Sequence, residues 1–457
     1  MHQNLYLIIF NKFIFVYDFW YATYPIMTIL KISQKKKIME AIDKIIGYEG
    51  IKKELRKFAD IMRNPEKYET LGAKLPHGIM FYGEPGVGKS LMADCLIKAS
   101  RRQCFECRKD KPDGEFVTHI RETFSKAMRN EPSIVLLDDL DKFSNEDRYG
   151  SNAEEYVTVQ SCMDIAKDRD VLVIATVNDR FLLPDSLMRE GRFDEKIEVQ
   201  NPQGEDAKKI IEYYLSQKKY VADLDIDEVS KLLNGFSCAE LESLINKAGV
   251  IAGFEGKSQI EMEDILKAYI KTSFHAPLSH STRTEKQLEV LAYHETGHAL
   301  VAELLQPSSV SLITIANHMG SVGGFTAYYE CDDYWFDKIY MENRIMTLLA
   351  GRAATELKFG KVDIGAGKDI ERAHRIAKRL LTEHCELGFS NYFKAERSEP
   401  VPDYISKEIA HELDKYYLKT KELIAKNMPL VDKIAKTLMK KEMLSRAEIA
   451  KIINENK

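Results

Sequence analysis

Eight residues constrain this chain more than any others: Gly83-Glu84-Pro85-Gly86-Val87-Gly88-Lys89-Ser90 match G-x-x-x-x-G-K-[ST] in full. They follow the apolar run Gly78-Ile79-Met80-Phe81-Tyr82 and lead into a helical stretch that starts near Leu91. A strand, a glycine-rich loop and a helix in that order let backbone N–H groups wrap phosphates, while the helix N-terminus favours their negative charge. Pro85, Gly86, Val87, Gly88, Lys89, Ser90 and Leu91 are therefore the expected nucleotide contacts. Within them, Lys89 reaches for the β- and γ-phosphates and the Ser90 hydroxyl for Mg²⁺.

Two further runs, Ile134-Val135-Leu136-Leu137 and Val171-Leu172-Val173-Ile174-Ala175, are short, nearly uniformly apolar and end in polar residues. That pattern predicts buried strands of a parallel α/β sheet, which binds its ligand at the strands' carboxyl ends. The first run ends in Asp138-Asp139, where a carboxylate is expected to hold Mg²⁺ through water. The other leads to Asn178, a polar tip able to orient the attacking water. Arg189 and Arg192, in Met188-Arg-Glu-Gly-Arg-Phe-Asp194, can reach a neighbouring subunit's γ-phosphate as arginine fingers. The alternative for this pair is a solvated surface.

The pattern breaks at Asn201-Pro202. Amphipathic helices from Glu205 to about Thr272 suggest a small lid, and Ala276–Thr284 reads as a linker. From Glu285 onward a mainly helical domain is expected, with short strands between Ser311 and Tyr329. The predicted organisation is an N-terminal segment 1–38, a large α/β ATPase subdomain 39–201, a helical lid 202–275, a linker 276–285 and a mainly α-helical domain 286–457.

In that last region His294-Glu295-Thr296-Gly297-His298 is H-E-x-x-H. On a helix, residues four apart share a face, so both imidazoles can bind one Zn²⁺ while Glu295 takes a proton from the activated water. Leu288, Leu291, Ala292, Ala299, Leu300, Val301 and Leu304 give the helix buried flanks, and Gly297 permits close packing against another element. A catalytic zinc requires a third protein ligand. Downstream, Glu356, Asp363 and Asp369 are carboxylate candidates, with His318 and His374 as further possibilities. Asp369 follows Gly365-Ala366-Gly367 and opens the apparent helix Ile370–Leu381, where a turn can aim it at a metal. The residues alone leave Asp369 and Glu356 unresolved.

Composition excludes rather than identifies. With 66 basic against 71 acidic residues, the chain has no excess positive charge to neutralise phosphate backbones, so no nucleic-acid partner is expected. The seven cysteines are irregularly spaced, which points to a reducing compartment; Cys104 and Cys107 form an isolated CxxC better explained by coincidence. Leu5–Leu30 is long and apolar enough to span a bilayer, although Lys12 and Asp18 interrupt it. The lysines 31 and 35–37 would then keep the rest of the chain in the cytoplasm. The alternative is a soluble cytoplasmic protein that starts at Met39.

From about residue 43 to 390 the chain resembles the FtsH-type AAA+ zinc metalloproteases. The matching stretches are Arg63–Pro76, the phosphate loop, Gly191–Asp194, Gly235–Ser237, His294–His298, Gly351–Ala354 and Gly365–Asp369. The resemblance implies a homohexameric ring that uses ATP, Mg²⁺ and Zn²⁺ to pull polypeptide substrates through a pore and cleave them. It implies Asp369 as third zinc ligand and Glu356 as a supporting acid. It also implies that Gly323–Thr326 lies in an edge strand that pairs with extended substrate. Family members usually carry membrane helices before the motor.

Two departures from the family pattern stand out. Where the family has a water-activating Glu after the Mg²⁺-binding Asp, this chain has Asp139, one methylene shorter, which predicts slower hydrolysis. Where the family's pore loop has an aromatic, a small apolar residue and glycine, Arg108–Phe116 is polar, leaving Phe116 as the only aromatic substitute. Two other readings follow: a zinc peptidase in which nucleotide serves only assembly or gating, and a non-proteolytic remodelling protein. Glu295 argues against the latter, which has no use for a catalytic base.

Overall fold

The computed structural model describes residues 40–73, 76–110, 112–144, 153–274, 283–316, 323–329, 337–361, 364–386 and 402–455. The chain forms two compact units, residues 1–217 with 235–243, and residues 218–234 with 244–457.

The first unit is built on five parallel strands: β1 (Gly78–Tyr82), β2 (Gln103–Cys107), β3 (Ser133–Leu137), β4 (Val171–Val177) and β5 (Glu195–Glu198). Their order is β2-β3-β4-β1-β5, so the expected strands β3, β4 and β1 occupy the centre. This is why those runs read as uniformly apolar: all seven residues of β4 are buried. The edges read differently. Exposure alternates along Glu195-Lys196-Ile197-Glu198, and most of β2 is only partly covered. On β2, Cys104 and Cys107 sit three residues apart and therefore point to opposite faces, both as free thiols. Burial pushes the thiol of Cys104 up to about 11 and that of Cys107 up to about 12, which makes both poor nucleophiles.

The segment after β2 corrects one expectation. Phe116 lies in the helix Asp113–Arg129 and is completely buried, with its ring edge-on to Phe143 at 4.8 Å between centroids. Phe116, Ile120 and Phe124 recur every four residues and form that helix's core stripe. Phe116 therefore cannot serve as a substrate-gripping aromatic.

In the second unit, the helix Glu285–Leu305 starts with a capping box in which Thr284 and Gln287 bond reciprocally. Every residue from Ala292 to Ala302 is buried, so this is a central helix rather than an amphipathic one. Its main neighbour is Lys338–Phe359, which ends in left-handed Gly360. A Cβ on Gly297 would lie 2.5 Å from the Ala350 carbonyl oxygen, so the two backbones meet there, as expected from the glycine. Helices Gly367–Thr382, Asp403–Lys426, Met428–Lys441 and Arg446–Asn454 complete the layer. The small antiparallel sheet runs β7-β6-β8, with β6 at Val310–Thr314, β7 at Phe325–Tyr328 and β8 at Met443–Ser445. β6 and β7 fall in the expected region; β8 is a C-terminal addition to it. Residues 1–38, Asp363, His318 and most of the linker lie outside the described residues. Among the described residues, no helix is long and apolar enough to cross a membrane.

Candidate active sites

The loop after β1 leads into the helix Lys89–Ser100 through Gly88, whose φ of 100° suits glycine. A cavity of about 930 Å³ opens there, lined by the loop and by Asp139, Lys142, Asn178 and Tyr214. The amine of Lys89 donates to the Gly83 and Glu84 carbonyls at 2.8 and 2.7 Å, which folds the loop around its own lysine. Burial lowers its pKa. Ser90 donates to Asp138 at 3.3 Å, and Thr176 donates to the same oxygen of Asp138 at 2.7 Å. The hydroxyl and carboxylate expected to hold Mg²⁺ thus already face each other. Oxygen donors of this kind suit a hard cation, and the left-handed glycines of the loop suit phosphate.

Asp139 sits in a left-handed turn (φ 55°). Its Oδ1 accepts from Asn178 at 3.2 Å and its Oδ2 accepts from Lys142 at 2.8 Å, with Arg108 at 3.7 Å. Burial works to raise the Asp139 pKa, but these cationic and amide partners outweigh it and hold the carboxyl below its usual range. The loop carrying Arg189 and Arg192 treats them differently. Arg189 is exposed, whereas Arg192 forms a two-pronged pair with Asp164 at 2.9 and 3.1 Å and also donates to Gln160.

The second site lies where the helices Glu285–Leu305 and Lys338–Phe359 touch. His294 Nε2 and His298 Nε2 are 3.1 Å apart, and Asp369 Oδ2 lies 3.4 Å from each. Metal–ligand bonds of about 2.0–2.1 Å at tetrahedral angles place ligand atoms about 3.3–3.4 Å apart, so the donor set fits zinc. His298 Nδ1 donates to the Thr347 carbonyl at 2.7 Å, which leaves Nε2 free for a metal. Asp369 stands in the first turn of Gly367–Thr382, just after the short turn Ile364–Ala366. Burial favours its neutral form, yet the imidazoles of His294 and His298 beside it keep it far below the ordinary carboxylate range. Gly351 forms the floor: a Cβ there would lie 2.5 Å from His298 Nε2 and 2.7 Å from His294 Nε2.

Glu295 is buried beside these donors, and burial raises its pKa. Thr326 on β7 donates to Glu295 Oε2 at 2.9 Å, while Gly324 leaves room at Oε1, where a Cβ would sit 3.2 Å away. The remaining candidates fall elsewhere. Glu356 is paired with Lys421 at 2.8 Å and hydrogen-bonded to Tyr417, and His374 is exposed. Sequence reasoning missed Thr176, Lys142, the bond from Thr326 to Glu295 and the floor role of Gly351. Thr176, Thr326 and Gly351 act across the fold, so nothing local marks them; Lys142 stands only three residues after Asp139, and that spacing was the one local signal.

A phosphate loop at the end of a parallel sheet, together with a helix-borne H-E-x-x-H, defines an AAA-type ATPase joined to a metallopeptidase. Family models agree: residues 79–201 match the ATPase family associated with various cellular activities (AAA), 223–267 the AAA+ lid domain and 281–452 peptidase family M41. The chain is 30% identical to the ATP-dependent zinc metalloprotease FtsH of Caldicellulosiruptor bescii, over 92% of this chain and 73% of that protein. It is 28% identical to FtsH 2 of a Thermoanaerobacter species (90% and 82%) and 29% identical to FtsH of Thermotoga maritima (94% and 75%). The chain belongs to the FtsH family of ATP-dependent zinc metalloproteases.

Proposed function

We propose that this chain is an ATP-dependent zinc metalloendopeptidase that moves polypeptides with its ATPase module and cleaves them in its helical module. The observation that carries the reading is the convergence of His294, His298 and Asp369, with Glu295 beside them, in a chain that also holds a complete phosphate loop. Zinc held by those three residues supplies the Lewis acidity that makes water nucleophilic near neutral pH and polarises the scissile carbonyl. Glu295 takes the proton of the attacking water and passes it to the leaving amine. Thr326 fixes one oxygen of Glu295, so the other faces the reacting atoms. β7 is the edge of its sheet, and extended substrate adds beside it through backbone hydrogen bonds.

In the motor, Lys89 and the loop amides bind the phosphates of ATP, and Ser90 and Asp138 hold Mg²⁺. Asp139 and Asn178 position water, and the apolar side of the cavity around Ile45, Tyr48 and Ile210 receives the base. Arg189 and Arg192 act across a subunit boundary in a homohexamer. The module boundaries are those read from the sequence, 39–201, 202–275, 276–285 and 286–457, with 1–38 as a membrane-associating segment that leaves the catalytic modules in the cytoplasm.

The test is degradation of an unfolded protein by the zinc-loaded chain with ATP, a non-hydrolysable analogue or no nucleotide, with Glu295→Gln as control. Cleavage only with ATP, and lost in the control, is expected. Equal cleavage under all three conditions would reduce the chain to a peptidase whose motor is idle.

A further inference from the structure

The short helical turn Leu140–Lys142 is anchored at its start while its last side chain lies exposed. Leu140 is fully buried. Asp141 accepts from the backbone N–H groups of Asn178 and Asp179 at 3.1 and 3.4 Å, and its carbonyl accepts from the Tyr156 hydroxyl at 3.2 Å. Lys142 itself is 61% exposed, and its amine reaches into the nucleotide cavity to pair with Asp139 at 2.8 Å. Asp139 is thereby engaged on both oxygens, by Asn178 on one side and by Lys142 on the other, with Arg108 farther off at 3.7 Å on the Lys142 side. A carboxylate already tied to an ammonium makes a poorer base toward water.

Lys142 lines the same cavity as Lys89 and Ser90, the residues assigned above to the terminal phosphates and to Mg²⁺. A lysine amine is a point charge on a flexible stem, and it pairs more strongly with a dianionic phosphate than with one carboxylate. We propose that Lys142 is a terminal-phosphate sensor: when ATP occupies the cavity its amine leaves Asp139 for the γ-phosphate, and Asp139 Oδ2 loses its nearest cation and opens to water while Asn178 keeps the other oxygen in place. A ligand shifts such an exchange only by what it offers the two arrangements differently. ADP lacks the terminal phosphate and leaves the Lys142–Asp139 pair intact. The site therefore withholds its base until the hydrolysable nucleotide is present. This inference rests on the ATPase reading above and adds to it a residue that separates ATP from ADP.

The experiment measures equilibrium binding of ATPγS and ADP, each with Mg²⁺, to the full chain and to its Lys142→Ala and Lys142→Arg variants. Lys142→Ala should bind ATPγS about tenfold more weakly with ADP affinity unchanged within twofold, and Lys142→Arg should restore most of the difference. Equal losses for both nucleotides, or no loss for either, would overturn the proposal while leaving the ATPase reading intact. Failure of the unaltered chain to bind either nucleotide would overturn both.

Discussion

The two sites of this chain are built on opposite plans. The metal site is made of helix side chains buried against a glycine floor, with donor atoms already at the spacing a zinc ion requires. The nucleotide site is made of loops at strand ends, and its charged residues hold one another: Lys89 bonds its own loop, and Asp139 is tied to Lys142 and Asn178. The first plan favours a reaction that repeats with little rearrangement. The second suits a cycle in which a ligand must displace internal partners and be released again. Rigidity and exchangeability are thus separated between the two ends of one polypeptide.

The comparison breaks most visibly at the glycine floor. Gly351→Ala should abolish zinc binding and peptide cleavage together while ATP hydrolysis stays within about twofold, because the new methyl occupies the metal's side of both histidines. Metal analysis alongside both assays checks it; retained zinc would show that the floor yields. Thr326→Val should lower peptide turnover by about 10–100-fold with zinc retained, the usual cost of losing a partner that orients a catalytic group. An unchanged rate would mean that Glu295 needs no such support.

On the exchangeable side, Asp139→Glu should raise ATP turnover severalfold by restoring reach toward water, as measured by phosphate release. No rise would show that the shorter acid is matched to its surroundings. The smallest effect concerns Glu356, which belongs to neither site. Its pairing with Lys421 and Tyr417 holds its pKa below the ordinary value. A depressed carboxylate stabilises the fold above its unfolded pKa and loses that stabilisation as pH falls through the folded value. Glu356→Gln should therefore cost under about 1 kcal/mol at pH 7, a gap that closes below about pH 4. Denaturant unfolding at the two pH values measures it.

What was legible in the sequence followed from local pattern. The phosphate loop, the three central strands and the H-E-x-x-H helix each declare themselves within a few consecutive residues. The edge strands β2 and β5 did not, because half-covered strands carry no continuous apolar run. β8 is three residues long and forms only because β6 offers it an edge. Asp369 stood open against Glu356 since it meets His294 from 75 residues away, and only the fold brings them together. Phe116 misled for another reason: its aromaticity drew attention, whereas its spacing with Ile120 and Phe124 already placed it in a helix's core.

Gly297 brings the two central helices together backbone to backbone, and Gly351 leaves the space that the two imidazoles fill, so the absence of two side chains acts as the gauge for the histidine pair. A substitution at a core position away from the site, such as Ile434→Val at a fully buried residue, should then lower the melting temperature while zinc affinity stays within about twofold.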